Sequence, residues 1–145
     1  MSHTSTGLLV LALTLIGFTA NAKTYSEKQL NCLAQNIYHE SRGEPIQGQL
    51  AVGFVTLNRI EDVNFPNTIC AVVYQQGQFS WTKRNPPIHE QEAWTLAMNI
   101  AEQAIYLHEE GKDNTGGALY FDGGHTPQSF HTKKTIRIGN HSFYQ

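Results

Sequence analysis

Charge is scarce and almost balanced in this chain of 145 residues, with 10 Lys and Arg against 12 Asp and Glu. A nucleic-acid partner calls for a basic stripe, and none is present. Lys133, Lys134 and Arg137 make only a small patch that reads as a solvated strand face. The seven histidines include no H-E-x-x-H pair or similar array, and two cysteines supply too few ligands. No metal and no cofactor are therefore assigned. Ser41 and Ser80 lack the strand-to-helix elbow that activates a serine nucleophile. Repeats and low-complexity runs are missing after residue 22.

A long apolar run is also missing from the body of the chain. "GLLVLALTLIGF" (Gly7 to Phe18) is too short for a comfortable membrane span. It has the length of a signal-peptide core, and Ala20-Asn21-Ala22 follows as a small-x-small cleavage site. Only His3 lies ahead of it where Lys or Arg is usual, so a retained anchor is the alternative. The expected organisation is a signal peptide over residues 1–22 and one domain over 23–145, placed in the periplasm or outside the cell as a monomer with no stable membrane insertion. An even pair of cysteines in an exported chain favours a Cys32–Cys70 disulfide, with two buried free thiols as the alternative. Closing such a loop is worth about 4 kcal/mol in the chain-entropy picture.

Ser26 and Gln29 have the spacing of a capping box. Leu30, Leu33, Ala34, Ile37, Tyr38 and Ser41 then recur with helical period, and Gly43 is a natural stop. Pro45 opens a second helix over about Ile46 to Arg59, apolar nearly all round and suited to the centre of a bundle. A loop through Pro66 leads to a short helix near Asn67 to Tyr74, and Gly77 to Pro87 has no period and reads as a loop. Ile88 to Glu110 is amphipathic, with Trp94, Ala97, Met98, Ala101 and Ile105 on one face and Gly111 closing it. Gly116 to Phe121 reads as a strand, and Thr135 to Tyr144 as a hairpin around Gly139-Asn140. The fold class is α+β, mostly α: a helical body with a small β-hairpin element near the C-terminus.

One cluster stands out against this apolar frame: "HESRGE", His39 to Glu44. Glu40 falls about 20° from Leu33 on the helical wheel, at the border of the apolar stripe. It also lies in the last turn, near the negative end of the helix dipole. Burial and dipole both disfavour the anion, as a general acid at neutral pH requires. A solvated or salt-bridged residue is the plainer reading, with Arg42 or Arg59 as partner, and Arg42 would pull the pKa back down. His39 precedes Glu40 and points about 100° away. His108 reads as a satisfied core histidine, while His125 and His131 fall in a loop.

The blocks "YHESRGE", "GQLAVGFVTLNR", "FPNTICAVVYQ", "QFSW", "TGGALYF" and "IGNHSFY" run in order from about Ser26 to Tyr144. In that order and spacing the chain resembles the SleB/CwlJ-type cell wall hydrolases. The resemblance implies a lysozyme-like fold and cleavage of the MurNAc–GlcNAc bond in peptidoglycan glycan strands. It puts the catalytic glutamate of an E-x-R-G-E block on Glu40, as the single acid and base of a lytic transglycosylase. A hydrolytic version would need a second carboxylate, for which Glu44, Asp62 and Asp122 are available. Arg42, Gly43 and Glu44 are expected to support the site, Glu44 through a salt bridge or cap at the helix junction. Phe79, Ser80, Trp81, Tyr120 and Phe121 match family blocks and are the candidate sugar-binding residues. Phe79 and Phe121 read equally as core residues, whereas Trp81 and Tyr120 lean toward the groove. An N-acetylmuramoyl-L-alanine amidase and a non-catalytic peptidoglycan-binding domain are the alternative readings.

Overall fold

The computed structural model describes residues 23–123 and 133–145. The expected signal peptide, its cleavage site, His125 and His131 lie outside the described residues. Within them, α1 (Glu27–Ser41), α2 (Ile46–Glu61), α3 (Ile69–Val73) and α4 (Gln91–Glu109) precede β1 (Tyr120–Asp122), β2 (Lys134–Ile138) and β3 (His141–Tyr144). The class is the expected one, a helical body with a small sheet.

Helix α1 starts where its sequence says it should. The Ser26 hydroxyl accepts from Gln29 N–H at 3.4 Å, which satisfies one of the orphan donors of the first turn. The other half of the capping box is not made. Gln29 instead accepts the Cys70 N–H through Oε1 at 3.0 Å, reaching across to α3. Next to it Cys32 and Cys70 form a disulfide with Cα atoms 5.2 Å apart, joining α1 to α3 across 38 residues.

Helix α2 is the centre of the body. Every residue from Gly48 to Leu57 is buried, so no face of it remains for solvent. A Cβ on Gly53 would stand 3.0 Å from Ala104 Cβ and 3.3 Å from Ile37 Cδ1. The missing side chain therefore lets α2 meet α1 and α4 at one point. Leu33, Ile37, Phe54, Leu57 and Phe143 are among the fully buried side chains, each worth roughly 1.5–3 kcal/mol on transfer from water.

Three expectations need correction. Helix α4 begins at Gln91, three residues after Ile88, because the backbone is still extended at Glu90 (φ −105°, ψ 95°); the N–H groups of His89 and Glu90 donate to the Tyr38 hydroxyl at 3.3 and 3.2 Å. The 77–87 loop contains a 3-10 turn over Ser80–Lys83. The strand expected from Gly116 keeps only Tyr120–Asp122. Gly116 and Gly117 have positive φ, and Asp113 takes the Thr115 and Gly117 N–H groups at 2.7 and 2.9 Å, so that stretch is a side-chain-organised loop.

The sheet is antiparallel in the order β1-β3-β2. Its inner face, led by Phe143, joins the helical core, with Phe121 and Ile138 packed against it. Thus β1 is brought beside the end of α2, and the β2–β3 turn beside the α1–α2 junction.

Candidate active site

Ser41 Oγ donates to the Ile37 carbonyl at 2.7 Å and closes the last turn of α1. The chain then reverses in a type II turn: Arg42 is extended (φ −60°, ψ 135°), Gly43 has φ +87°, and Glu44 N–H donates to the Ser41 carbonyl at 2.9 Å. The third position of that turn needs a left-handed residue, which Gly43 supplies without steric cost.

Glu40 stands in that last turn, partly buried. Among the described residues no hydrogen bond or ion pair holds its carboxylate. Both arginines named as partners are engaged elsewhere. Arg42 Nε pairs with Glu90 Oε1 at 2.9 Å, its guanidinium over the Tyr38 ring, and Arg59 Nε donates to the Leu119 carbonyl at 2.7 Å. Burial without a compensating cation pushes the Glu40 pKa above its ordinary value. The pKa of the adjacent His39 is lowered, by burial first and then by Arg42, which disfavours its cationic form.

Two of the carboxylates named as possible second groups have structural partners. Glu44 accepts from Asn140 N–H at 3.0 Å and Asn140 Nδ2 at 2.9 Å. Those bonds, the backbone one first, lower its pKa. The salt bridge or helix cap expected of Glu44 is thus replaced by a clasp on the hairpin turn, 96 residues away. Asp62 Oδ1 accepts the Asn64 N–H at 2.8 Å and its Nδ2 at 2.9 Å, organising its own turn.

The candidate sugar-binding residues divide. Trp81 is buried, with 8% of its surface exposed. Its indole N–H donates to Asn36 Oδ1 at 3.1 Å, and its ring stacks on His39 at 4.5 Å and 27°. It packs as a core residue that carries His39 on one face, whereas the sequence leaned toward the groove. Phe79 is buried too, stacked on Phe121 at 6.2 Å. Ser80 opens the 3-10 turn and is exposed, while Tyr120 and Phe121 on β1 are partly buried. Of the five, Ser80, Tyr120 and Phe121 thus keep accessible surface, whereas Phe79 and Trp81 are withdrawn into the core.

Sequence reasoning passed over Asn36, and offered Arg59 only as a possible partner of Glu40. Asn36 is fully buried and also donates through Nδ2 to Thr56 Oγ1 at 3.3 Å. A polar residue one turn from both Leu33 and Glu40 on a buried stripe was the available signal. Arg59 is 4% exposed and lies against three rings: Phe65 at 5.0 Å, Phe79 at 5.4 Å and Tyr120 at 5.4 Å. Burial drives its pKa down to about 10, against a small opposing effect of Tyr120. No group of three His, Cys, Asp or Glu side chains suited to a metal ion occurs among the described residues.

The Cell Wall Hydrolase family model matches residues 43–144. The chain belongs to the cell wall hydrolase family. The match takes in the turn glycine, Glu44, α2 and the whole sheet, and Glu40 lies just ahead of it. Among curated relatives of this cell wall hydrolase, the spore cortex-lytic enzyme of Bacillus cereus is 34% identical over 122 residues, 82% of this chain and 45% of the relative. That of Bacillus subtilis (strain 168) is 30% identical over 82% of this chain and 38% of its own. The chain thus spans less than half the length of these relatives. Among solved structures, the catalytic domain of the Bacillus cereus SleB protein superposes with a TM-score of 0.71 at 32% identity, over 89% of this chain and 98% of that one. The catalytic domain of the germination-specific lytic transglycosylase SleB from Bacillus anthracis gives 0.68 at 32% identity, over 83% and 97%.

Proposed function

We propose that this cell wall hydrolase is an exported lytic transglycosylase that cuts the MurNAc–GlcNAc bond of peptidoglycan glycan strands, with Glu40 as its only acid and base. The observation that carries this reading is the Glu40 carboxylate itself: partly buried, unpaired among the described residues, and raised in pKa. Protonated Glu40 gives its proton to the glycosidic oxygen as the bond to muramic acid C1 breaks. As carboxylate it then takes the proton of the C6 hydroxyl, whose oxygen closes on C1 as a 1,6-anhydro ring. Both electron pairs and both protons are accounted for without water. The engagement of Glu44 with Asn140 and of Asp62 with Asn64 leaves Asp122 as the remaining candidate for a second carboxylate and supports the single-carboxylate scheme over hydrolysis by an acid–base pair through either of the first two. A solved relative described as a lytic transglycosylase supports the same reaction class.

Export is part of the proposal. The Cys32–Cys70 disulfide suits an oxidising compartment, and the apolar run ending before Ala20-Asn21-Ala22 supplies a signal.

Digestion of purified sacculi tests the reaction. Wild-type protein is expected to release muropeptides with anhydro ends that borohydride cannot reduce, and Glu40→Gln to release none while keeping its fold. Reducible muramic ends would establish hydrolysis, free stem peptides an amidase, and binding without products a recognition domain. N-terminal sequencing of the exported protein should begin at Lys23.

A further inference from the structure

Two consecutive side chains at the end of α2 grip two consecutive carbonyls ahead of β1. Asn58 Nδ2 donates to the Ala118 carbonyl at 3.0 Å, and Arg59 Nε to the Leu119 carbonyl at 2.7 Å. Asn58 is itself pinned: its Nδ2 also meets Asp113 Oδ2 at 2.9 Å, and its Oδ1 pairs with His108 Nε2 at 2.8 Å. Arg59 is held in a different way. Among the described residues its Nη1 has no hydrogen-bond acceptor, and no carboxylate pairs with it. The guanidinium is instead enclosed by Phe65, Phe79 and Tyr120.

A buried cation without a counter-ion is an expensive way to fill space, since an apolar residue of similar volume is often as stabilising or more so. What the guanidinium supplies beyond volume is direction. Its flat faces attract ring π-clouds, and its three rings come from three separate segments: the loop after α2, the approach to the 3-10 turn that bears Ser80, and β1. One side chain therefore fixes the mutual orientation of the segments that bear the accessible sugar-binding candidates.

We infer that Asn58 and Arg59 are positioning residues that set strand β1, and Tyr120 with it, as the sugar-facing edge of the site. This rests on the reading of the protein as a peptidoglycan-cleaving enzyme. Neither residue touches the reacting atoms. They act on how firmly the glycan is held, because a strand free to shift gives up part of its binding energy in being ordered.

The test is a double-mutant cycle on soluble glycan strands, run well below each variant's melting temperature. Arg59→Met and Tyr120→Ala are each expected to raise KM about tenfold and to lower kcat by less than about threefold. The double variant should be no worse than the weaker-binding single one, because both changes remove the same interaction. Arg59→Lys, which keeps charge but loses the flat fork, should not restore KM. Wild-type KM in Arg59→Met with only a lower melting temperature, or additive losses in the double variant, overturns the inference. Should Arg59→Met not fold, Asn58→Ala releases the Ala118 carbonyl while Arg59 and its three rings stay in place. A raised KM not additive with Tyr120→Ala supports the inference, and an unchanged KM overturns it. The same series in a Glu40→Gln background, read as sedimentation with sacculi, reports binding without catalysis. Sacculi bound but never cut by the wild-type chain refute the proposed reaction and leave Arg59 to be judged on affinity. A wild-type chain that neither binds nor cuts overturns both.

Discussion

Asn140 gives Glu44 both of its donors, the backbone N–H at 3.0 Å and the side-chain amide at 2.9 Å. The tip of the β2–β3 hairpin is thereby fastened to the junction that ends the helix bearing Glu40. Gly139 makes the approach possible: its φ is +57°, and a Cβ there would run into Glu44 Oε2 and stand 3.0 Å from Pro45 Cδ.

Glu44→Ala should cost about 1–2 kcal/mol through the loss of two bonds, one of them to a backbone donor. Gly139→Ala should cost at least as much, from strain at positive φ together with the clash. Folding lowers the Glu44 pKa, so its contribution is complete above the ordinary carboxylate range and fades as pH falls through the folded value. Urea titrations of both variants at neutral and acid pH measure this. A wild-type midpoint for Glu44→Ala at pH 7 would disprove the clasp.

Glu40 has the opposite sign. Folding raises its pKa, so the folded chain binds this proton more tightly than the unfolded chain does. Stability from this group is greatest below the ordinary glutamate value of 4.5 and declines as pH climbs through the folded value. Glu40→Gln is therefore expected to melt higher than wild type at pH 7, with the gap closing toward pH 4, while losing roughly 10²–10⁴-fold in turnover. An alkaline limb of kcat/KM should lie above 4.5. Thermal melts across pH and a pH–rate profile give the two readings, and a destabilised Glu40→Gln at pH 7 would contradict the first.

Arg42 tests whether the site depends on a neighbouring cation. Its guanidinium is turned to Glu90, and both side chains are exposed, where such pairs contribute about 0–1 kcal/mol. Arg42→Ala should change stability by no more than that and leave the alkaline limb where it is. A limb displaced upward by a full pH unit would mean that Arg42 acts on Glu40 after all.

Trp81 should behave as a core residue. Trp81→Ala removes a buried ring and strands the Asn36 amide, a loss of about 3–5 kcal/mol. Trp81→Phe keeps most of the ring and should cost less, about 1–3 kcal/mol, for the orphaned Asn36 oxygen. Chemical unfolding separates the two. A Trp81→Ala protein of wild-type stability with weakened glycan binding would restore Trp81 to the groove.

The features legible in the sequence are those set within a few residues. Ser26 caps α1, Gly43 ends it, the unbroken apolar run of α2 finds the centre, and Gly139-Asn140 turns the hairpin. Each depends on backbone preference or period, which travel with the local sequence. Glu40 was legible as a carboxylate on the edge of a buried stripe. Its lack of a partner among the described residues was not, because that depends on Arg42 turning to a residue 48 positions away and Arg59 to one 60 away. The burial of Trp81 and the ring enclosure of Arg59 were hidden for the same reason. Gly116 and Gly117 read as part of a strand in the sequence, but Asp113, which no local pattern links to them, claims the Thr115 and Gly117 N–H groups and makes a loop.

The clasp between residues 44 and 140 also imposes an order on assembly. Helices α1, α2 and α4 can pack as soon as the chain has emerged past residue 109, burying Leu33, Phe54 and Ala101. The junction beside Glu40 stays unfastened until the hairpin has been made as well. A chain halted between those points would hold Glu40 on a formed helix yet leave the junction beside it without the Asn140 clasp. The junction beside Glu40 would then take its final form with the hairpin, after the body has already taken shape.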